Sequence, residues 1–307
     1  MPRLIMAERI EGLVVRSTAG FVNVDVDGDV VQARIRGRLK NKPRTTDLCV
    51  IGDRAALSRP DEHSYVVVEV LPRKSRFSRR QPGRGPNKED VLVANLDQLL
   101  VTFSHGEPLL NTRLLDRFLV IAEHQDVQPV IVMNKADLRE AGDPTWQRTY
   151  ESIGYSILTV SAGTGEGMGV LIEALRGKIS AFVGPSGVGK SSLINRIIPG
   201  LDLGIAAVSD YHGKGRHTTR VASLHALPDG GFLADTPGIR ELGTWALPIE
   251  DLDRCFVELA AYRERCAFRR CSHTHEPQCA VVDAVNAGAI DRERYDSYVR
   301  LREEADV

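Results

Sequence analysis

The stretch Gly184-Pro185-Ser186-Gly187-Val188-Gly189-Lys190-Ser191 fits the pattern G-x-x-x-x-G-K-[ST] and stands between an apolar run, ISAFV, and a helical one, KSSLINRII. That placement is what a phosphate-binding loop requires. A strand delivers the chain, glycines let backbone N–H groups turn inward, and the following helix offers its positive end. On this pattern Lys190 reaches the β- and γ-phosphates of a nucleoside triphosphate and Ser191 lends its hydroxyl to Mg²⁺, while Pro185, Ser186, Gly187, Val188 and Ser192 complete the cradle. The surrounding runs alternate strand and helix. VLVANLDQLLVTFS, VQPVIVMNKADL, YSILTVSA and GGFLADTPG read as buried strands, and NTRLLDRFLVIAEHQ, EGMGVLIEALRG and KSSLINRII read as amphipathic helices. The expected core is a doubly wound parallel α/β sheet.

A phosphate loop alone does not choose its base; Asn134-Lys135-Ala136-Asp137 does. It ends the strand VIVMNKAD, where Asp137 can accept from the N1–H and exocyclic amine of guanine, donors that adenine lacks in that arrangement. Asn134 and Lys135 then brace the base and the loop. A helix-capping aspartate is the plain alternative for so short a motif. Ser161-Ala162-Gly163, after YSILTV, adds a backbone donor for guanine O6. All these signals fall at the C-terminal ends of strands, where α/β sheets bind ligands. An ATP-driven kinase or helicase is disfavoured by Asp137.

Asp235-Thr236-Pro237-Gly238 closes another strand, with Asp235 expected to hold Mg²⁺ through water and the Gly238 N–H to sense the γ-phosphate. Between it and the phosphate loop, Ser209 to Arg220 is polar and Gly-bearing, as a mobile switch would be, with Thr219, or else Thr218, completing the Mg²⁺ shell. Plain turn residues are the other reading of this stretch. The motif order is unusual, because the guanine motifs precede the phosphate loop and DTPG. The domain is therefore expected to be circularly permuted, so that whatever follows Gly238 is tethered to the γ-phosphate sensor. Ile239 stands where Ras-like enzymes carry a water-orienting glutamine, so unaided hydrolysis is expected to be slow. His217 is a candidate to position the water, and equally a structural or RNA-contacting histidine.

In the front of the chain, short β-rich runs (GLVVRS, FVNVDVDG, DVVQARIRG, DLCVIGD, SYVVVEVL) predict a five-stranded barrel of OB type. Net charge is −1 over 307 residues, yet residues 1–90 carry 18 Lys and Arg against 12 Asp and Glu. Arg34, Arg36, Arg38, Lys40, Lys42 and Arg44 recur at every second position, a one-sided row that suits a phosphate backbone or simply a solvated basic face. Phe21 and Tyr65 are the main base-stacking candidates. Residues 73–90 lack a hydrophobic period and read as a basic linker or a loop that orders on RNA.

Cys266-x4-Cys271-x-His273-x5-Cys279 supplies three thiolates and an imidazole, the set for one closed structural zinc, with His275 able to replace His273. Zinc would pin flanking helices too small for a core of their own. Cys49 and Cys255 stand apart and read as buried small hydrophobes. No run approaches a membrane span, and the first residues lack a signal peptide's features, so a cytoplasmic protein is expected.

The order NKAD, SAGTGEG, GPSGVGKSSLIN, GRHTT, DTPGIREL and then C-x4-C-x-H-x5-C resembles the RsgA (YjeQ/YloQ) ribosome-associated GTPases over essentially the whole chain. Departures are Pro185, where Gln is frequent, and Arg220, where a third Thr often follows. The resemblance implies an N-terminal OB-fold β-barrel (1–72), a basic linker (73–90), a central α/β circularly permuted P-loop GTPase domain (91–243) and a C-terminal helical zinc-binding domain (244–307). It further implies GTP hydrolysis stimulated by the small ribosomal subunit and its rRNA and a late maturation role; Mg²⁺ with GTP/GDP and a monomer are expected besides. Residues carried over are His217, Thr219 and Lys190 for catalysis; Asn134, Lys135, Asp137, Ser161, Ala162, Gly184 to Ser192, Asp235 and Gly238 for the nucleotide; Ser191 and Thr219 for Mg²⁺; and Cys266, Cys271, His273 and Cys279 for zinc.

Overall fold

The structure, a computed structural model, describes residues 9–18, 20–37, 49–61, 64–80, 89–140, 142, 145–201, 222–236, 239, 242 and 249–305. His217, Thr218, Thr219, Pro237 and Gly238, together with Arg38, Lys40, Lys42 and Arg44 of the basic row, lie outside the described residues. Two units divide the chain, one within 1–98, 175–181 and 212–240, the other within 99–174, 182–211 and 241–307.

The first unit begins with β1 (Ile10–Thr18), β2 (Phe21–Val26), β3 (Asp29–Ile35), β4 (Arg54–Asp61) and β5 (Ser64–Val70). Pairing runs antiparallel from β1 to β2 to β3, parallel from β3 to β5, then antiparallel from β5 to β4 and from β4 back to β1. That circuit closes the barrel and removes its edges. Val14, Val22, Val24, Ala33, Leu57 and Val67 fill it, with Cys49 buried beside them. The alternation explains the basic row where it is described: Ala33 points in while Arg34 and Arg36 are exposed.

Three local readings are corrected here. Of DLCVIGD, expected as the fourth strand, the described residues 49–53 form the turn before it. Gly52 has φ +85° and lies so close to the Ala94 carbonyl that a Cβ would sit 1.9 Å from its oxygen, while the Asp53 carboxylate accepts from the Val50 N–H at 2.8 Å. The strand starts only at Arg54. Segment 73–90, expected as a linker or loop, contains β6 (Arg76–Arg80), which pairs antiparallel with β7 (Glu89–Ala94) because Phe77, Val91 and Val93 share a buried face. VLVANLDQLLVTFS is two strands, β7 and β8 (Gln98–Ser104), broken at Asn95 with φ +55°. The Asn95 side chain accepts from the Lys74 N–H (2.7 Å) and donates to the Gly52 carbonyl (2.7 Å), which fixes the break.

Also in this unit, β11 (Ile179–Val183), β13 (Phe232–Asp235) and β12 (Ser223–Ala226) lie side by side, with β1 next to β12. β13 is parallel to β11. β12, which the sequence reading did not anticipate, is antiparallel to β13.

The second unit orders β10 (Ser156–Thr159), β9 (Gln128–Asn134), β8 and the C-terminal end of β11, with β10 parallel to β9. Its helices are α1 (Thr112–His124), α2 (Thr145–Ser152), α3 (Met168–Leu175, whose last residue belongs to the first unit) and α4 (Lys190–Ile197). α5 (Leu252–Cys255), α6 (Val257–Arg263), α7 (Ala280–Asn286) and α8 (Arg292–Ala305) follow. These last helices were expected to lack a core; instead Leu252, Phe256, Leu259, Val281, Tyr298 and Leu301 enclose one, which Val120 of α1 joins. Arg294 is 2% exposed and bonds both Asp116 of α1 and Glu258 of α6, with its guanidinium 4.5 Å from the Phe256 ring centroid. Burial raises the Asp116 pKa against the pull of Arg294. No helix among the described residues is long and apolar enough to cross a membrane.

Candidate functional site

β11 ends at Val183 and the chain turns through Gly184 (φ +139°), Gly187 (φ +83°) and Gly189 (φ +91°) before α4 begins at Lys190. L side chains avoid these angles, and space forbids them too: a Cβ on Gly184 would lie 2.0 Å from the Thr102 oxygen, and one on Gly189 2.3 Å from Asn134 Nδ2. Gly189 caps α4 without any side-chain bond, so the first N–H groups of the helix are left for an anion. Lys190 Nζ donates to the carbonyls of Gly184 (2.8 Å) and Pro185 (2.6 Å), which places its ammonium at the mouth of the loop. Ser191 is buried beneath, while Ser186 and Gly187 are exposed at the rim.

Asn134 ties three motifs together. It is 2% exposed; its Nδ2 donates to the Val188 carbonyl (2.8 Å) and its Oδ1 accepts from the Ala162 N–H (3.1 Å). These two hydrogen bonds join the phosphate loop to the base loop. A guanine O6 would share the Ala162 donor with Asn134. Ser161 is fully buried and its hydroxyl donates to Asp137, leaving that carboxylate exposed beside the strand ends. Lys135 takes the left-handed conformation (φ +58°) and its ammonium donates to the Glu107 carbonyl.

Sequence reading missed two supports. The loop after β8 underlies the site, with the His105 N–H on the Asn134 carbonyl (2.9 Å) and Pro108 3.6 Å from where a Gly187 Cβ would stand. Burial and Arg139 lower the His105 pKa. Arg196 of α4 donates to the carbonyls of Ala162 (2.9 Å) and Gly163 (3.3 Å), clamping the base loop. Neither carries a local motif; only the fold brings them in.

In the first unit Asp235 ends β13, as expected for a residue at a strand's C-terminal end. The Thr236 hydroxyl accepts from the Ile239 N–H at 3.2 Å, and Ile239 is 2% exposed. An aliphatic, buried side chain cannot orient a water.

The metal candidates converge in the second unit: one ligand atom each from Cys266, Cys271, His273 and Cys279, all within 4.8 Å of one another. Cys266 Sγ lies 3.9 Å from Cys279 Sγ and 3.5 Å from His273 Nδ1, and that nitrogen is 3.4 Å from Cys279 Sγ. Tetrahedral zinc with Zn–S near 2.3 Å and Zn–N near 2.0 Å sets its ligands about 3.5–3.8 Å apart, so the spacing fits such an ion. His273 Nε2 faces Asp253 Oδ2 at 3.4 Å, the carboxylate backing that orients a metal-bound imidazole. Burial would raise the Asp253 pKa, but bonds from His273 and Arg263 hold it below the usual carboxylate value. His275 is exposed and outside this group.

Phosphate loop, guanine brace and strand order define a P-loop GTPase in circular permutation, preceded by an OB-type barrel. A family model described as RsgA GTPase matches residues 70–245, and one described as RsgA N-terminal domain matches 11–66. A protein of Gemmatimonas aurantiaca named small ribosomal subunit biogenesis GTPase RsgA is 44% identical over 303 residues, 97% of this chain and 98% of its own. Its namesake in Streptococcus pneumoniae is 37% identical, over 96% of this chain and 94% of its own. Among solved structures, YjeQ from Thermotoga maritima superposes with TM-score 0.78 at 35% identity, covering 97% of this chain and 99% of its own. YloQ, titled a circularly permuted GTPase, gives 0.77 at 30% identity, covering 100% and 98%. The chain belongs to the RsgA GTPase family.

Proposed function

We propose that this chain binds the small ribosomal subunit and hydrolyses GTP when that subunit stimulates it, acting late in small-subunit maturation in the cytoplasm. Asn134 carries the guanine half of this reading, since one buried side chain holds the phosphate loop and the base loop in a single arrangement. Asp137 selects guanine, Lys190 and the N–H groups of Gly187 to Ser191 receive the phosphates, and Ser191, Thr219 and Asp235 hold Mg²⁺. Mg²⁺, when bound, neutralises charge developing between the β- and γ-phosphates. The Gly238 N–H reports the γ-phosphate, and His217 orients the attacking water that Ile239 cannot. Cys266, Cys271, His273 and Cys279 hold one structural zinc. The exposed Arg34 and Arg36 of the barrel contact rRNA phosphates, while Phe21 and Tyr65 contribute little base reading. Each ring already has an arginine over it, Arg34 at 5.4 Å and Arg59 at 5.6 Å.

The buried Ile239 supports a second reading, in which GTP gates rRNA attachment and hydrolysis is incidental. Turnover measured against small subunits, large subunits and free RNA separates the two. Strong stimulation by small subunits alone is expected. Equal rates throughout remove the ribosome assignment, and His217→Ala hydrolysing at the wild-type rate with the partner present removes the role of His217.

A further inference from the structure

Strand register in the first unit sets polar residues from three strands in one line. Arg16 of β1 is the Cα partner of Ser223 in β12, and Ser223 is the partner of Asp235 in β13. Directly opposed residues of antiparallel strands project to one face with Cβ atoms about 4.5–5.5 Å apart, so the three side chains are neighbours in a row. His225, two residues beyond Ser223, shares that face, and its Nε2 lies 3.1 Å from Ser223 Oγ. Its own strand partner is the buried Leu233. Burial lowers the His225 pKa, Asp235 acts to raise it and Arg16 to lower it, so the ring feels a charge from either side.

We infer that Ser223 and His225 are positioning residues for Asp235, and that Arg16 biases them from the barrel, so the barrel strand reaches the Mg²⁺ carboxylate through one polar row. This rests on the reading of Asp235 as the residue that holds Mg²⁺. A carboxylate that orders a metal-bound water must keep one orientation, and outer partners supply it. Arg16 is exposed, so an RNA phosphate at the barrel competes for its charge.

The test is a Mg²⁺ titration of fluorescent GDP and GTP binding to the full chain, repeated without Mg²⁺ in chelator. Ser223→Ala and His225→Leu are each expected to raise the half-saturating Mg²⁺ about tenfold while leaving Mg²⁺-free affinity unchanged. His225→Asn, which keeps a hydrogen-bonding group, recovers most of the loss. Arg16→Gln removes a competing cation and lowers the Mg²⁺ requirement about twofold. If His225→Leu does not fold, Ser223→Ala, His225→Asn and Arg16→Gln carry the test. Wild-type titrations for these variants, or a parallel loss of Mg²⁺-free binding, overturn the inference, provided that Asp235→Asn itself needs more Mg²⁺. If Asp235→Asn titrates as wild type, the assignment of Asp235 falls and this inference with it.

Discussion

The nucleotide loop and the cysteine cluster hold charge in opposite ways. Around Gly184 to Ser191 the donors are backbone N–H groups shaped by glycine conformations, at a helix end that no side chain caps. Around Cys266 to Cys279 four side chains converge, and the backbone is the part held down: Tyr295 Oη donates to the His273 carbonyl and Tyr298 Oη to the Ser272 carbonyl, each at 2.7 Å. The first suits a ligand that enters, reacts and leaves; the second has a ligand set and spacing that could hold a metal ion. Permutation puts them in one chain order, with the nucleotide loop before DTPG and the cysteine cluster after it.

If that contrast is right, damage at the two places should differ in kind. Cys266→Ser is expected to abolish stoichiometric zinc and to lower the melting temperature of the C-terminal helices by roughly 10 °C or more, read by metal content and circular dichroism. Retained zinc with an unchanged melt would break the comparison. Lys190→Ala should leave the melt alone and reduce GTP turnover about 100- to 1,000-fold, because one donor to the developing charge is lost. Asp137→Asn is expected to weaken GTP binding roughly 100-fold with zinc content unaffected, since a guanine donor loses its carboxylate acceptor. The smallest effect sharpens the picture of the closed site. Asp253→Asn, which removes the charge behind His273 Nε2, should reduce zinc affinity about tenfold in a chelator competition.

How much of this was readable before the fold depended on how local the chemistry is. The phosphate loop and the cysteine spacing are contiguous patterns whose residue types name their ligand, so both were legible. The motif led to the expectation that Asn134 braces the loop, but not to its partner, the Val188 carbonyl 54 residues away. Arg196 and Pro108 were not, because their service to the site depends on where α4 and the loop after β8 come to lie. In the barrel, the hydrophobic run DLCVIGD looked like a strand, but the positive φ of Gly52 and its approach to Ala94 outweigh propensity. β6 was hidden because Arg76 and Arg79 flank the single apolar anchor Phe77, and its partner β7 supplies the pattern it lacks.

The contrast between an exchanging and a resident site is met most directly by one competition. Chain loaded with fluorescent GDP is challenged with excess GTP or ATP in Mg²⁺ while bound zinc is quantified in the same sample. GTP should displace the label, ATP should not, and one zinc per chain should remain throughout. Equal displacement by ATP, or zinc leaving with the nucleotide, would contradict the account.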